Sequence, residues 1–418
     1  MTAPLIWVFF GLLAFSVPVA HAMLGGVAAA LIADGKPLAV IVQRLYTPTQ
    51  SFPMLAIPFF IMAGSLMMSG KFGVYLVNIA RLLVGHFRGG LGQVTIIGSV
   101  MFGGVSGSAV ADASALGNAL IPVQKKEGYP GGFSAAVNSC ASTVSVLIPP
   151  SIPLILFGLV SNVSIVDLFV AGILPGLMLG VGMFAMVAIV ARAMKLPRSP
   201  LPGGFAAFKS QVFIAIPALL MPVFVIGTLR FGIATPTEVS VMAVAYALIV
   251  SGLLYRDLTW KGIWDASVET AMMTGAVMII IMASSTIQWV LTAERVPQML
   301  AEWVGVTFSE PWMVIIALNC VMLVVGAFLD LPAAVLLLGP LFVTIANSIG
   351  LDLVQLGLIM VVNLAIGLYT PPVGTTLFIS TAIARCRIGE TVRALLPFYG
   401  VAIIVLLLIS YVPALTIY

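Results

Sequence analysis

The chain has 418 residues, of which 61% are hydrophobic and only 8% charged. That balance excludes a soluble globular domain and describes a polytopic membrane protein, in which apolar stretches of about 20 residues cross the bilayer as helices. The net charge of +4 sets orientation and carries no nucleic-acid signature, and Cys140, Cys320 and Cys386, widely spaced in apolar surroundings, read as packing residues.

The first apolar run, 4–18, has no Lys or Arg before Lys36, so it reads as a retained transmembrane helix and not as a cleaved leader. Helices are predicted over 22–33 and 52–69, followed by a mixed, interfacial segment from Lys71 to Arg88. From Gly90 to Lys126 the chain becomes small and weakly polar. Each arm around Ser106-Gly107-Ser108 has about 16–18 residues, short of a full crossing. Arg81 and Arg88 precede the arms and Lys125 and Lys126 follow them, which puts both ends in the cytoplasm. The arms therefore form a re-entrant hairpin with its tip at mid-membrane.

The next apolar stretch, 130–160, contains Pro149-Pro150. Two prolines remove two N–H donors and clash with the preceding turn, at about 3 kcal/mol or more in a helix interior, so the helix breaks. The carbonyls of Ser145 and Val146 lose their helical partners at a depth where irregular backbone survives only if it is buried or lines a cavity. The chain returns over 168–191, and 192–209, with four basic residues and no acid, reads as a cytoplasmic linker.

Helices are then predicted over 210–228, 235–254 and 264–292, the second opened by a capping box at Thr235-Pro236-Thr237-Glu238. Residues 311–350 form a second hairpin whose flanking Glu302, Glu310 and Asp352 place its ends on the periplasmic side. A second broken helix, 352–384, carries Pro371-Pro372, and a last helix covers 396–416. Pro371 follows Pro149 by 222 residues, and the same shift pairs Gly104 with Gly326, Gly117 with Gly339, Gly128 with Gly350 and Pro175 with Pro397. The expected fold is an all-α polytopic membrane protein of two inverted-topology repeats, each with a re-entrant hairpin and a Pro-Pro-broken helix.

That layout is the layout of a secondary transporter. Opened carbonyls at Ser145, Val146, Gly367 and Leu368, with hydroxyls of Ser106 and Ser108, are hard oxygen ligands suited to Na+. Half-helices restarting at Ser151 and Val373 aim N–H groups at the same region and favour an anionic substrate. Asp112 and Asp330 are the acids nearest the tips; each reads either as a functional intramembrane acid or as a cap, and Asp330 is equivalent to Ser108. Asn138 and Asn363, in the helix before each break, read either as partners of the freed backbone or as interhelical glue. No Lys-Ser or Lys-Thr follows the glycines at 103–117, so ATP is not the energy source. Gly104-Val105-Ser106-Gly107 matches the G-x-S-G of an intramembrane protease, but His21 and His86 both precede the serine and supply no base. Paired inverted hairpins add nothing to a static channel.

The strings at 103–117 (GGVSGSAVADASALG), 148–151 (IPPS), 234–238 (ATPTE), 328–332 (FLDLP) and 350–374 (GLDLVQLGLIMVVNLAIGLYTPPVG) closely resemble the large membrane subunit of the tripartite ATP-independent periplasmic (TRAP) transporters. The resemblance covers essentially the whole chain. It implies an elevator-type, Na+-driven importer of an organic acid in the bacterial inner membrane, not an enzyme. It also implies a small membrane subunit on a separate chain, since 418 residues leave no room for a fused one, and a periplasmic substrate-binding protein. Residues 90–191 and 310–395 would form the moving transport domain, 1–89 and 210–309 the scaffold, 192–209 the linker and 396–418 a terminal helix. One Na+ site would involve Ser106, Ser108 and the carbonyls from Ser145 and Val146 to Pro149; the other, Gly326 to Asp330 and the carbonyls of Gly367, Leu368 and Pro371. Substrate would lie near Ser106, Gly107, Ser108, Pro150, Ser151, Thr370, Gly374, Thr375 and Thr376. The alternative is a stand-alone Na+/carboxylate elevator symporter that needs no binding protein.

Overall fold

The computed structural model describes residues 1–70, 72–198, 205–308 and 310–416, and its regular elements are helices. An N-terminal group comprises α1 (Thr2–Ala14), α2 (Val19–Ala33), α3 (Ala39–Tyr46), α4 (Ala56–Met68) and α5 (Phe72–Val84). Helix α3 was not anticipated. It is amphipathic with no buried residue and bends by 69° into the stretch that leads through α4. The segment expected to be interfacial contains α5, which packs one face, Phe72, Leu76, Ile79, Ala80, Leu82 and Val84, against its neighbours including α6 (Gly90–Ser106) and leaves Val74 and Leu83 exposed.

Hairpin 1 is α6 and α7 (Ala109–Lys126), interrupted only at Gly107 and Ser108. Gly107 takes the left-handed conformation (φ 58°), which a residue without Cβ adopts at no steric cost. The first broken helix is α8 (Gly131–Ala141), a tight turn at Val144–Val146, the proline pair and α9 (Ile152–Ser161). Helix α10 (Ile165–Ala193) is long and apolar enough to cross a bilayer. Of the expected linker, residues 199–204 lie outside the described residues, and helix is already present from Phe205, ahead of the expected start at 210.

The second half contains α11 (Phe205–Arg230), α12 (Pro236–Ile249), α13 (Trp260–Ala293) and α14 (Val296–Thr307). The capping box forms as read: Glu238 N–H donates to Thr235 Oγ1, and Thr235 N–H donates to Glu238 Oε2 at 2.8 Å. Hairpin 2 is α15 (Pro311–Gly326) and α16 (Leu331–Ile349); the second broken helix is α17 (Leu353–Gly367) and α18 (Thr375–Ala384); α19 (Ile388–Tyr411) closes the chain. Six helices are long and apolar enough to cross a membrane among the described residues, seven if the bent stretch before α5 counts as one span.

The repeat is visible in the starting residues. Helices α7 and α16 begin at 109 and 331 and α8 and α17 at 131 and 353, the same 222-residue shift; α6 and α15, α9 and α18, and α10 and α19 agree with it to within one residue. Both proline pairs, Pro149-Pro150 and Pro371-Pro372, are joined by cis bonds. Contacts between the halves are reciprocal: α7 packs on α18 as α16 packs on α9, and α8 packs on α19 as α17 packs on α10. Such an exchange of partners is what a twofold axis between two copies requires. One continuous apolar core runs through both halves, centred on α8, α9 and α17.

Candidate functional site

In each repeat the end of the hairpin's first arm is pressed against the break of the broken helix. A Cβ on Gly103 would come within 2.6 Å of Ser145 Cα, and one on Gly367 would strike the Gly326 carbonyl. A Cβ on Gly107 would strike the Pro150 carbonyl, and Val373 N–H donates to the Ala327 carbonyl at 3.2 Å. Tip and break thus form one rigid unit twice over.

The tips meet at a cavity of about 230 Å³ lined on one side by Gly107, Ser108, Ile152, Asp330, Leu331 and Leu368. Ser108 is the N-cap of α7, Ser151 of α9 and Asp330 of α16, so three helices begin at this cavity. Ser108 Oγ accepts Ala111 N–H at 3.4 Å and Ser151 Oγ accepts Leu154 N–H at 3.3 Å, while Asp330 makes no capping bond with its side chain. Helix starts carry unsatisfied N–H groups and a positive partial charge, and together they suit an anion. The opposite wall, from α4 and α13, is apolar: Ile61, Met273, Ala276, Val277 and Ile280. A second cavity of about 270 Å³ shares Ile61, Ser108, Ile152 and Met273 with the first and continues along Ala111, Ser114 and Ala115 toward the Lys125–Lys126 end of α7.

Beside the first tip lies a buried carboxylate. Asp112 is fully buried; its Oδ1 accepts the Ser106 hydroxyl at 2.5 Å, its Oδ2 has no partner, and the nearby Ser145 hydroxyl donates instead to the Ser142 carbonyl at 2.7 Å. No hydrogen bond to the carbonyls of Ser145, Pro149 or Pro150 is seen among the described residues. The orphaned carboxylate oxygen and the Ser106 hydroxyl are hard oxygen donors of the kind a monovalent cation takes. No cluster of three or more His, Cys, Asp or Glu side chains that could hold a metal ion is present among the described residues.

Other expected ligands are engaged. The Val146 carbonyl accepts the Ser151 hydroxyl. The Leu368 carbonyl accepts Thr376 N–H at 3.0 Å, Thr376 Oγ1 at 2.9 Å and Leu377 N–H at 3.4 Å, which fills both lone pairs. The Gly367 carbonyl accepts Thr370 N–H at 3.0 Å. In the second repeat the expectation of open carbonyls at Gly367 and Leu368 therefore does not hold, because the break curls into a turn that supplies its own donors. Gly326 keeps a carbonyl with no partner among the described residues, Pro371 is exposed, and Asp330 faces the cavity. Of the expected substrate residues, Ser108 and Gly107 line the first cavity and Ser106 the second. Thr376 is buried and structural, Thr370 bonds back to the Ile366 carbonyl at 2.7 Å, Gly374 packs on its own turn, and the Thr375 hydroxyl is buried without a partner. Asn138 bridges the Ala113 carbonyl and Ser380, both at 2.8 Å, and Asn363 bonds Asn319, so both act as interhelical ties. Sequence reasoning passed over Glu269, whose carboxylate lines the second cavity from α13; its only signal was an acid two turns inside a long apolar helix.

Residues 6–415 match the family described as the tripartite ATP-independent periplasmic transporter, DctM component. The chain is 50% identical to the protein y4mL, recorded as uncharacterized, of Sinorhizobium fredii, over all of both chains. It is 36% identical to the C4-dicarboxylate TRAP transporter large permease protein DctM of Pseudomonas aeruginosa, over 89% of this chain and 87% of the relative. Among solved structures it resembles MtrF of Neisseria gonorrhoeae, described as illuminating a class of antimetabolite efflux pumps, with a TM-score of 0.60 at 13% identity over 89% of this chain and 83% of that one. At that identity the likeness concerns the fold alone.

Proposed function

Because this chain belongs to the DctM component family of the tripartite ATP-independent periplasmic transporters, a multi-pass protein of the bacterial inner membrane, we propose that it imports a small organic acid, a dicarboxylate or sugar acid, by Na+ symport. The observation that carries this reading is the convergence of both hairpin tips and three helix starts on one cavity, with a buried, half-satisfied carboxylate beside it. The acid's carboxylate lies against the starts of α7, α9 and α16, where N–H groups and helix dipoles favour negative charge.

Na+ is the second cargo. Asp112, Ser106, Ser145 and the Pro149 carbonyl hold one ion, and Asp330 with the Gly326 carbonyl marks the equivalent place in the other repeat. A bare carboxylate is costly at mid-membrane, and a bound cation neutralises it. The loaded unit is thereby made fit to move, and the empty one is not. The hairpins and broken helices move as a body against the apolar wall of α4 and α13, an elevator step. A small membrane subunit on a separate chain and a periplasmic binding protein complete the transporter.

Uptake into proteoliposomes of this chain with its small subunit, under an inward Na+ gradient and with or without a cognate binding protein, tests the reading. Uptake that requires Na+ and the binding protein is the expected result. Uptake with Na+ and free acid alone would make the chain a stand-alone symporter, and uptake indifferent to Na+ would overturn the coupling.

A further inference from the structure

A second polar cavity, of about 440 Å³, lies where α10 and the segment after it meet the start of hairpin 1, lined by His86, Arg88, Gln93, Phe184, Arg192 and Arg198. Arg88 and Arg198 face each other across an antiparallel bridge, fastened by Gly89 N–H to the Pro197 carbonyl at 3.2 Å. Like charges directly opposite on paired strands repel. Arg192 adds a third guanidinium. Among the described residues none of the three takes part in an ion pair, and residues 199–204, Ser-Pro-Leu-Pro-Gly-Gly, contain no acid that could supply one.

Basic residues that only orient a membrane protein need no common focus, since each is solvated by itself. These three are exposed too, but they line one cavity together with two buried orphan atoms. Gln93 is 3% exposed with Oε1 unpartnered, and His86 Nδ1 is also unpartnered. Which amide atom is oxygen follows from bonding pattern alone, so the Gln93 side chain can be turned to offer its NH2 to an anion. Guanidinium forks pair well with phosphate oxygens, and two or three around one cavity define a phosphate-sized anion site. Its surroundings favour a lipid as the source. Phe87 at the rim is exposed, and the outer face of α10 within one leaflet of Arg192 presents exposed Val181 and Ile189, an apolar track for acyl chains.

We propose that this cavity binds the phosphodiester headgroup of an anionic phospholipid of the cytoplasmic leaflet, with its chains along α10. The proposal rests, for its consequence only, on the reading above that the hairpins move. The cavity walls are the two chain crossings near hairpin 1, the α5–α6 turn and the segment following α10. A headgroup bridging Arg88, Arg192 and Arg198 fastens the two crossings to each other and to the leaflet, so anionic lipid sets how readily the moving body travels.

The full-length chain, purified and delipidated, is mixed with phosphatidylglycerol, phosphatidylcholine or inorganic phosphate and examined by native mass spectrometry and thermal unfolding. Phosphatidylglycerol is retained and raises Tm, whereas the other two do not. The doubly substituted Arg88→Gln, Arg198→Gln protein binds it at least about tenfold more weakly, as expected for loss of charge-assisted hydrogen bonds. Equal retention of phosphatidylcholine, or unchanged phosphatidylglycerol binding in the double variant, overturns the proposal. Inorganic phosphate acting as strongly as the lipid overturns the lipid source. Should the double variant fail to fold, Arg192→Gln must lose binding and Arg192→Lys restore part of it; equal binding by both variants and the unmodified chain refutes the site. Binding is read without transport, so it fails separately from the import reading.

Discussion

At Asp112 one serine hydroxyl, that of Ser106, bonds a carboxylate that is otherwise sealed from water. One contact does not offset the desolvation of an ionised group, which needs a partner of opposite charge or several donors. Asp112→Asn keeps the shape and the bond to Ser106 but removes the charge, so the Na+ concentration for half-maximal uptake should rise at least about tenfold. Uptake titrated against Na+, with size-exclusion profiles to show an intact fold, measures it; an unchanged Na+ requirement would remove Asp112 from the site. The acid was legible in the sequence, but its role was not, because residue order does not say which face of α7 meets the break of another helix. Thr376 is a different case. The resemblance implies a place for it near the substrate, and in the fold its hydroxyl donates to the Leu368 carbonyl and to that of Ser139, a contact 237 positions away in the chain.

Hairpins and breaks were legible because Gly and Pro act locally: a missing N–H or a required positive φ makes itself felt whatever surrounds it. The turns at 107–108 and 149–150 and the shift between repeats follow from such residues. Less was legible where packing decides. That α5 lays its apolar face on α6 could not be read from the composition of Lys71 to Arg88, and the start of α11 before 210 carries no Ser, Thr, Asp or Asn immediately ahead of it. Gly107 is where the local rule and the packing coincide. Gly107→Ala places a Cβ at φ 58° and against the Pro150 carbonyl, so both the left-handed strain of about 1–2 kcal/mol and a backbone collision oppose the tip. Uptake should fall at least tenfold while membrane insertion and the elution profile persist, as expected from about 1.4 kcal/mol per decade. Full uptake by this variant would mean that the tip does not need to rest on the break.

Across the whole molecule, each hairpin's second arm packs on the restarted half-helix of the other repeat, α7 on α18 and α16 on α9. Lys125 adds a tie of the same kind by donating to the Ala384 carbonyl at 2.7 Å, at the negative end of α18. The two hairpins and two broken helices are therefore one interlocked body, and neither repeat can shift its tip without carrying the other. Against it, α4 and α13 present mostly apolar side chains at the first cavity, such as Ile61, Met273 and Val277, with Ser65 and Glu269 at the second. If the body moves, Ile152 on α9 must leave Ile61 on α4, since the two now border the same cavities. Cysteines at both positions, joined by a short bifunctional thiol reagent in a chain whose own Cys140, Cys320 and Cys386 are replaced by serine, should stop uptake almost completely. A cleavable version of the reagent should restore it after reduction, and each single cysteine should remain active after treatment. Cross-linked protein that still transports at the rate of the untreated control would show that the body need not travel past α4, and the site would then have to open by motion of the hairpin tips alone.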